Sequence, residues 1–523
     1  MKQVIVLLCS FHFAIGSDIL AFFPIRTQSH YIFVKPLLDE LAKRGHNLTV
    51  YTPFPDKIPP KKYREIDISG CMPTVVAPSV DVIVRVRSIL LEVKLFGGLI
   101  PNSSQVLQCR ALDAILAANS TLRFDLLLTD LLHNEWYAGF AYKFRVPMIN
   151  IFPNMIFPGF AHTVGAFSNP AFMPSHVVNG VSPKMSFWER LVNTYAYLVW
   201  MSVGHYYTIV PSNKVAKEIF GDGIPSLDEI VKNTSMTFVN SQPPFQISYP
   251  TFPNLIQVGG MNIVASKELP KNIEKFINES KHGVVYFCMG SLLRGETFPP
   301  EKREAFLYAF SKIPQRVLWK WEGDVLPGKS DNIMISKWMP QRDILAHPNV
   351  KLFISHGGLL GTSEAVYEGV PVLGIPIFGD QRTNIKSLEA NGAGELLDYN
   401  EISKEVVLEK IQRLLNDPKY KENAKLLSDR YRDRPMSPLD TAVYWTEYVI
   451  RHKGAPHLRT AAADMPWYQY LLLDVIAFIV AVLVAGLLII YYTTKFILRA
   501  IYGLICGGGA KKGSSKSDKK KRN

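Results

Sequence analysis

Two histidines stand where an apolar run gives way to a helical pattern, and chemistry could start at either. His30 follows the run Ile19–Phe23 and a loop from Pro24, and with Ser29 it opens the amphipathic stretch Tyr31–Arg44. A helix N-terminus disfavours imidazolium, so an imidazole there stays neutral and able to accept a proton. Asp130 closes a second apolar run, Phe124–Thr129. A carboxylate in that position can fix the tautomer of a nearby imidazole and steady its charged form. A histidine beside a serine is more often a capping or surface residue; the matching position of Asp130 keeps a general base open as the alternative. Glu135 reads as a charge on the surface of the next helix, His347 as a structural histidine before Pro348, and His133 has no assigned role.

The second histidine, His356, lies in Ser355-His356-Gly357-Gly358-Leu359-Leu360-Gly361-Thr362-Ser363-Glu364, after the run Lys351–Phe353. Glycines at such a turn let backbone amides approach an anion, and the following helix adds a favourable dipole. His356 supplies a further donor to a phosphate oxygen. Glu364, two turns in, can accept hydrogen bonds from ribose hydroxyls, and Trp338 offers a flat face for a base. A glycine-rich turn alone is a weak signal. With Trp338 upstream and Gly379-Asp380-Gln381 on the next loop, it is a much stronger signal of a nucleotide site.

These residues need strands and helices to carry them. Continuously apolar strands alternating with helices, first over Ile19–Phe152 and again over Val284–Pro376, indicate parallel sheets covered on both faces. The second series expects strands at Val284–Met289, Arg316–Lys320, Ile333–Ser336, Lys351–Ser355 and Pro371–Pro376, with helices at Glu301–Phe310 and Gly361–Tyr367. Four prolines between Gln242 and Val258 mark a connection. Pro183–Tyr207, rich in Phe, Trp and Tyr, fits an interfacial helix, the wall of an apolar pocket or ordinary core.

The chain has 523 residues and a net charge of +13. From Lys495 to Asn523 nine basic residues face one acid, Asp518, leaving +5 for everything before it. The basicity belongs to a tail, so no nucleic-acid partner is expected. Val475–Tyr492 carries no charge, is flanked by Trp467, Tyr468 and Tyr470, and reads as a transmembrane helix. Met1-Lys2 followed by Val4–Cys9 and Ala14-Ile15-Gly16 reads as a signal peptide. The implied topology is single-pass type I with the main part lumenal. Asn47, Asn102, Asn119, Asn233 and Asn278 are sequons for glycosylation. Cys71, Cys109 and Cys288 allow either a Cys71–Cys109 bridge or free thiols, and assembly is left open, a homo-oligomer included.

Trp338 to Gln381, WMPQRDILAHPNVKLFISHGGLLGTSEAVYEGVPVLGIPIFGDQ, resembles the signature block of the animal UDP-glycosyltransferases. The similarity extends to Gly259-Gly260, to Tyr444–Arg459, to the apolar span and to Lys520-Lys521 near the end, which resembles a dilysine signal for the endoplasmic reticulum. The resemblance implies an α/β GT-B fold with two Rossmann-like, doubly wound domains facing a cleft, plus one C-terminal transmembrane helix. The expected divisions are a signal peptide over 1–17, an acceptor domain over 18–241, a linker over 242–260, a UDP-sugar domain over 261–458 whose last helices return to the first domain, a membrane helix over 471–494 and a basic cytoplasmic tail over 495–523.

The resemblance also implies roles. Trp338 would stack on uracil, with Gln341 near the base or ribose. His356, the amides around Gly358, Ser291 after Gly290, and Thr362 would hold the pyrophosphate, Glu364 the ribose, and Asp380 and Gln381 the sugar hydroxyls. His30, steadied by Asp130, would deprotonate an acceptor hydroxyl that displaces UDP with inversion. Plant relatives carry Asn-Ser where this chain has Leu360-Gly361, so one sugar contact and one phosphate contact made there are missing. The implied reaction is transfer of a hexose, glucose as in arthropod members, from a UDP-sugar to a small lipophilic acceptor in detoxification. Glucuronosyl transfer and a non-catalytic lipophile-binding membrane protein are the alternatives. Membrane lipid is a further partner, and UDP-sugar is a co-substrate rather than a cofactor. No Cys-x2-Cys pair and no Asp-x-Asp in the second half marks a metal; helix dipoles, His356 and hydroxyls would meet the leaving-group charge.

Overall fold

A computed structural model describes residues 16–25, 27–72, 104–117, 119–132, 134–157, 161, 168–175, 178, 184–290, 293 and 295–506. The expected signal peptide up to residue 15, Asn102, His133, Ser291 and the tail beyond Cys506 lie outside the described residues.

In the first half the elements are β1 (Asp18–Phe22), α1 (Gln28–Lys43), β2 (Asn47–Thr52), β3 (Tyr63–Asp67), β4 (Leu126–Thr129), β5 (Met148–Phe152), α2 (Phe187–Val199), α3 (His205–Phe220), β6 (Met236–Val239) and β7 (Leu255–Gln257). Their seven strands form a parallel sheet in the order β3-β2-β1-β4-β5-β6-β7. The second half contributes β8 (Val284–Cys288), β9 (Arg316–Lys320), β10 (Ile333–Ser336), β11 (Val350–Ser355), α4 (Leu359–Glu368), β12 (Val372–Gly374), α5 (Gln381–Ala390), β13 (Gly394–Leu396), α6 (Pro418–Arg432) and α7 (Pro438–Arg451). Its sheet runs β10-β9-β8-β11-β12-β13, also parallel. Each sheet reverses its winding once, between β1 and β4 in the first and between β8 and β11 in the second. Open parallel sheets bind ligands outside the carboxyl ends of the strands at such a switch point.

Both faces of the first sheet are covered, as its unbroken apolar strands require. Ile19 and Ala21 join one core cluster, while Leu20 and Phe22 join the other. Phe22 packs against the rings of Tyr51, Trp136, Tyr137 and Phe140 at 4.7–6.1 Å. Truncating such a side chain to alanine costs about 3–5 kcal/mol. Helix α7 returns across the chain: Ala442, Val443 and Val449 share the core of Phe33, Leu37 and Leu41 from α1.

The strands β3, β6, β7 and β13 are not expected from the sequence. β3 (YREID) is a polar edge, β13 is three residues long, and β7 lies inside the proline-rich stretch read as a connection. Cys71 and Cys109 form a disulfide with 5.4 Å between Cα atoms, and Cys288 is a buried free thiol.

By contacts the chain divides into Met1–Ala463 and Asp464–Asn523. The second unit holds α8 (Leu473–Cys506), 34 residues whose most apolar window has a mean hydropathy of 3.0, long and apolar enough to cross a membrane. It runs on through Lys495 and Arg499, because good helix formers continue the backbone where the apolar run stops.

Candidate active site

His30 sits in the first turn of α1, just beyond the carboxyl end of β1, and Asp130 follows β4, the neighbouring strand at the switch point. Their side chains meet, His30 Nδ1 to Asp130 Oδ2, at 2.9 Å, with the imidazole 19% exposed and the carboxylate 2%. The other carboxylate oxygen of Asp130 accepts from the Leu132 amide at 2.9 Å. The intervening Leu131 amide donates to Asn150 Oδ1 of β5 at 3.0 Å, and Thr129 Oγ1 donates to the Phe22 carbonyl at 2.9 Å. The carboxylate therefore has one orientation. Asn150 was not singled out in the sequence; a buried polar residue inside an apolar strand was its only signal.

His356 follows β11, and its ring lies between two glycines. A Cβ on Gly290 would come within 2.5 Å of the imidazole Cε1, and one on Gly358 would come closer still to Nε2. Gly290 also has φ +81°, a conformation that suits glycine. Burial, helped by the charge of Lys320, lowers the His356 pKa to about 4. The ring is neutral near pH 7 and offers one N–H. Lys320, at the end of β9, holds the Gly290 carbonyl at 3.1 Å and Glu322 at 2.7 Å; the sequence did not mark it. Gly358 caps the N-terminus of α4 and has no side chain to satisfy the first amides. Such an end accepts an anion. Thr362 departs from expectation: its hydroxyl is buried and donates to the Gly358 carbonyl at 2.8 Å, so its proton is committed to the helix.

Glu364, buried in α4, accepts from Gln341 Nε2 at 2.8 Å, and burial raises its pKa to about 7. Gly361 makes the approach possible, since a Cβ there would lie 2.9 Å from Gln341 Nε2. Trp338, 64% exposed in the loop after β10, leaves its ring uncovered. Asp380 and Gln381 open α5. Gln381 Oε1 accepts from the amides of Ile377 and Phe378 at 2.8 and 3.1 Å, which leaves its Nε2 as the free donor end. Asn384, another residue without a sequence signal, donates to Asp380 Oδ2 and to the Gly357 carbonyl, both at 3.0 Å. It ties the sugar-side pair to the glycine turn.

The two groups of residues face one another. Burial raises the Asp380 pKa, while hydrogen bonding from Asn384 and the charge of His30 oppose that rise. Leu360, in the first turn of α4, packs against the core cluster of the first sheet. His30 and Asp380 thus lie close enough to interact, although different sheets carry them.

Glu135 is a correction. It is buried, not a surface charge; Ser212 Oγ donates to its Oε2 at 3.3 Å, and burial raises its pKa to about 7. The chain turns into a short 3-10 helix, Glu135–Ala138, packed under α3, a placement that a single charge cannot announce. His347 is structural as read, with Nε2 on Asn278 Oδ1 at 3.1 Å and Nδ1 accepting from the Asn349 amide. Among the described residues no group of three or more His, Cys, Asp or Glu is placed to hold a metal ion. Of the sequons, Asn47, Asn119, Asn233 and Asn278 are exposed.

Two parallel sheets of this winding in one chain are the GT-B arrangement. Solved structures with the same fold include CalG4, the calicheamicin glycosyltransferase, with a TM-score of 0.54 and 17% identity over 83% of this chain and 99% of that one. Glycosyltransferase VinC in complex with dTDP matches with a TM-score of 0.54 and 14% identity, over 83% and 99%. Residues 93–507 match the family described as UDP-glucoronosyl and UDP-glucosyl transferase. UDP-glycosyltransferase UGT5 of Dactylopius coccus is 57% identical over 511 residues, 95% of each chain. UDP-glucosyltransferase 2 of the same species is 42% identical over 97% of this chain and 96% of its own. UDP-glucuronosyltransferase 2B17 of Rattus norvegicus is 33% identical over 86% and 88%. The chain belongs to the UDP-glucoronosyl and UDP-glucosyl transferase family, and its reaction is hexose transfer from a UDP-sugar.

Proposed function

We propose that the chain transfers glucose from UDP-glucose to a hydroxyl of a small lipophilic acceptor, with inversion, and that His30 is the base. The observation that carries this is the 2.9 Å pair of His30 Nδ1 and Asp130 Oδ2 in a cleft shared with Asp380. With Nδ1–H donated to Asp130, Nε2 carries the lone pair and takes the proton of the acceptor hydroxyl. The acceptor oxygen bonds to the anomeric carbon as the bond from that carbon to the β-phosphate oxygen breaks, and the α-linked sugar becomes a β-glycoside. The leaving diphosphate gathers negative charge against the α4 N-terminus around Gly358 and the neutral N–H of His356. Glu364 and Gln341 hold the ribose, Trp338 stacks on uracil, and Asp380 with Gln381 holds the hexose hydroxyls. This scheme asks for no metal and no further cofactor. The 42% identity to a glucosyltransferase, against 33% to a glucuronosyltransferase, supports glucose as donor.

The same reading places the enzyme in the endoplasmic reticulum as a lumenal, glycosylated, single-pass protein acting in detoxification. Its supports are the Cys71–Cys109 bridge, which suits an oxidising compartment, α8 as membrane span, and the N-terminal apolar run and terminal lysines of the sequence. The full chain in microsomes, given a phenol with UDP-glucose or UDP-glucuronate in parallel, tests the donor and the stereochemistry. A β-glucoside formed preferentially supports the proposal; an α-glucoside or glucuronide as the main product contradicts it.

A further inference from the structure

Helix α2 carries an apolar face with no protein against it. Phe187, Trp188, Leu191, Val192, Tyr195 and Leu198 are each between 46% and 70% exposed. At about 100° per residue these six positions fall within a single arc of about 140°. The opposite side, through Asn193, Ala196 and Trp200, is the buried one, and Trp200 and Ala196 belong to a small core cluster. Glu189 falls on the side of Ala196 and Trp200, where it caps the helix start, and Arg190 lies outside the arc, so the exposed arc is free of charge. Tyr206 and Val210 of α3 add 62% and 50% exposed apolar surface. Exposed patches of this kind mark contact with a membrane or with another protein.

The chain itself selects between them. The same polypeptide carries α8, so a bilayer is always tethered to it. Half of the six residues are aromatic, with Trp and Tyr among them, the side chains that sit at a membrane–water interface with an apolar body and a polar tip. The exposed Lys214 and Lys217 of α3 suit anionic headgroups. We propose that the exposed face of α2, with its continuation in α3, lies in the interfacial layer of the membrane to which the chain is anchored, as a second, monotopic contact. The inference rests on the reading of α8 as a membrane span. It gives the acceptor-binding half direct access to solutes dissolved in lipid.

Photolabelling tests this on the full-length chain in nanodiscs of phosphatidylcholine with a diazirine in one acyl chain. Label is expected on α8 and also on the peptide containing residues 187–198. The double substitution Leu191→Glu and Leu198→Glu is expected to lower labelling of that peptide about tenfold. Labelling of α8 and turnover of a water-soluble phenol should be unchanged, which verifies that the variant is folded. Label on α8 but not on 187–198 overturns the proposal, as does labelling that survives both substitutions, or cross-linking of Tyr195 to a second copy of the chain. Absence of label on α8 overturns the anchoring reading, and this inference with it.

Discussion

His30 and Asp380 are carried by different sheets, yet they lie near enough for a proton gained by His30 to lower the Asp380 pKa. One residue opens α1 beyond β1 and the other opens α5 beyond β12. The chain between them runs through β2 to β12, so neither sheet alone carries both residues.

We propose that Asp380 is a sugar-side group. Asp380→Asn keeps the shape but removes the charge, and charged hydrogen bonds carry about 1.5–3 kcal/mol. Turnover with UDP-glucose should fall about 10–100-fold in kcat/KM. Inhibition by UDP, which lacks the sugar, should stay within about twofold. Equal losses for both ligands would place Asp380 on the diphosphate instead.

Glu364 gives the donor site a pH dependence. Its pKa of about 7, raised by burial, leaves the carboxyl largely protonated at pH 6, and only the ionised form accepts from both ribose hydroxyls. UDP affinity should therefore tighten about 3–10-fold from pH 6 to pH 8. Glu364→Gln should bind weakly and flatten that profile. Calorimetric titration of UDP across this range decides the matter, and an unchanged slope in the variant would remove Glu364 from the ribose.

Gly290 is a steric test of the phosphate turn. Alanine there would press its Cβ to 2.5 Å from His356 and is disfavoured at φ +81°. Displacing a transition-state donor costs about 10²–10³ in kcat. Gly290→Ala should lose turnover on that scale while retaining the binding of uridine, which carries no phosphate. A variant with near-normal kcat would show that His356 does not serve the leaving group.

Glu135 predicts a stability profile of definite sign. Its pKa is raised by burial to about 7 in the folded chain, against an ordinary value of 4.5. Between those values the folded state keeps a proton that the unfolded state has lost, so stability falls as pH rises and the loss is complete above about pH 7. The full effect is about 3 kcal/mol. Glu135→Gln should abolish that decline, seen as thermal midpoints of the variant and the parent that diverge from pH 5 to pH 8. Parallel profiles would exclude Glu135 as the cause.

Much of the fold could be read from the sequence because its strands are short, unbroken apolar runs with helices between them. Ile19–Phe23, Phe124–Thr129 and Lys351–Ser355 all overlap strands, and β10 coincides with Ile333–Ser336. Edge strands such as β3 and β13 escaped, since an exposed or three-residue strand has no continuous apolar signal. In the site, His30 and His356 were readable from their position at strand ends, Glu364 from its place two turns into the helix after the glycine turn, and Asp380 from the next loop. Asn150, Asn384 and Lys320 were not, because each acts on another side chain or a carbonyl brought near only by the sheet order. Glu135 failed for the same reason: burial depends on α3, which lies far along the chain.

The central claim is that the imidazole of His30 removes the acceptor proton. Single-turnover kinetics of His30→Ala with UDP-glucose and a phenol measure it directly. The predicted result is a chemical step slower by about 10²–10⁴-fold with UDP affinity unchanged. A step at the parental rate would contradict the account.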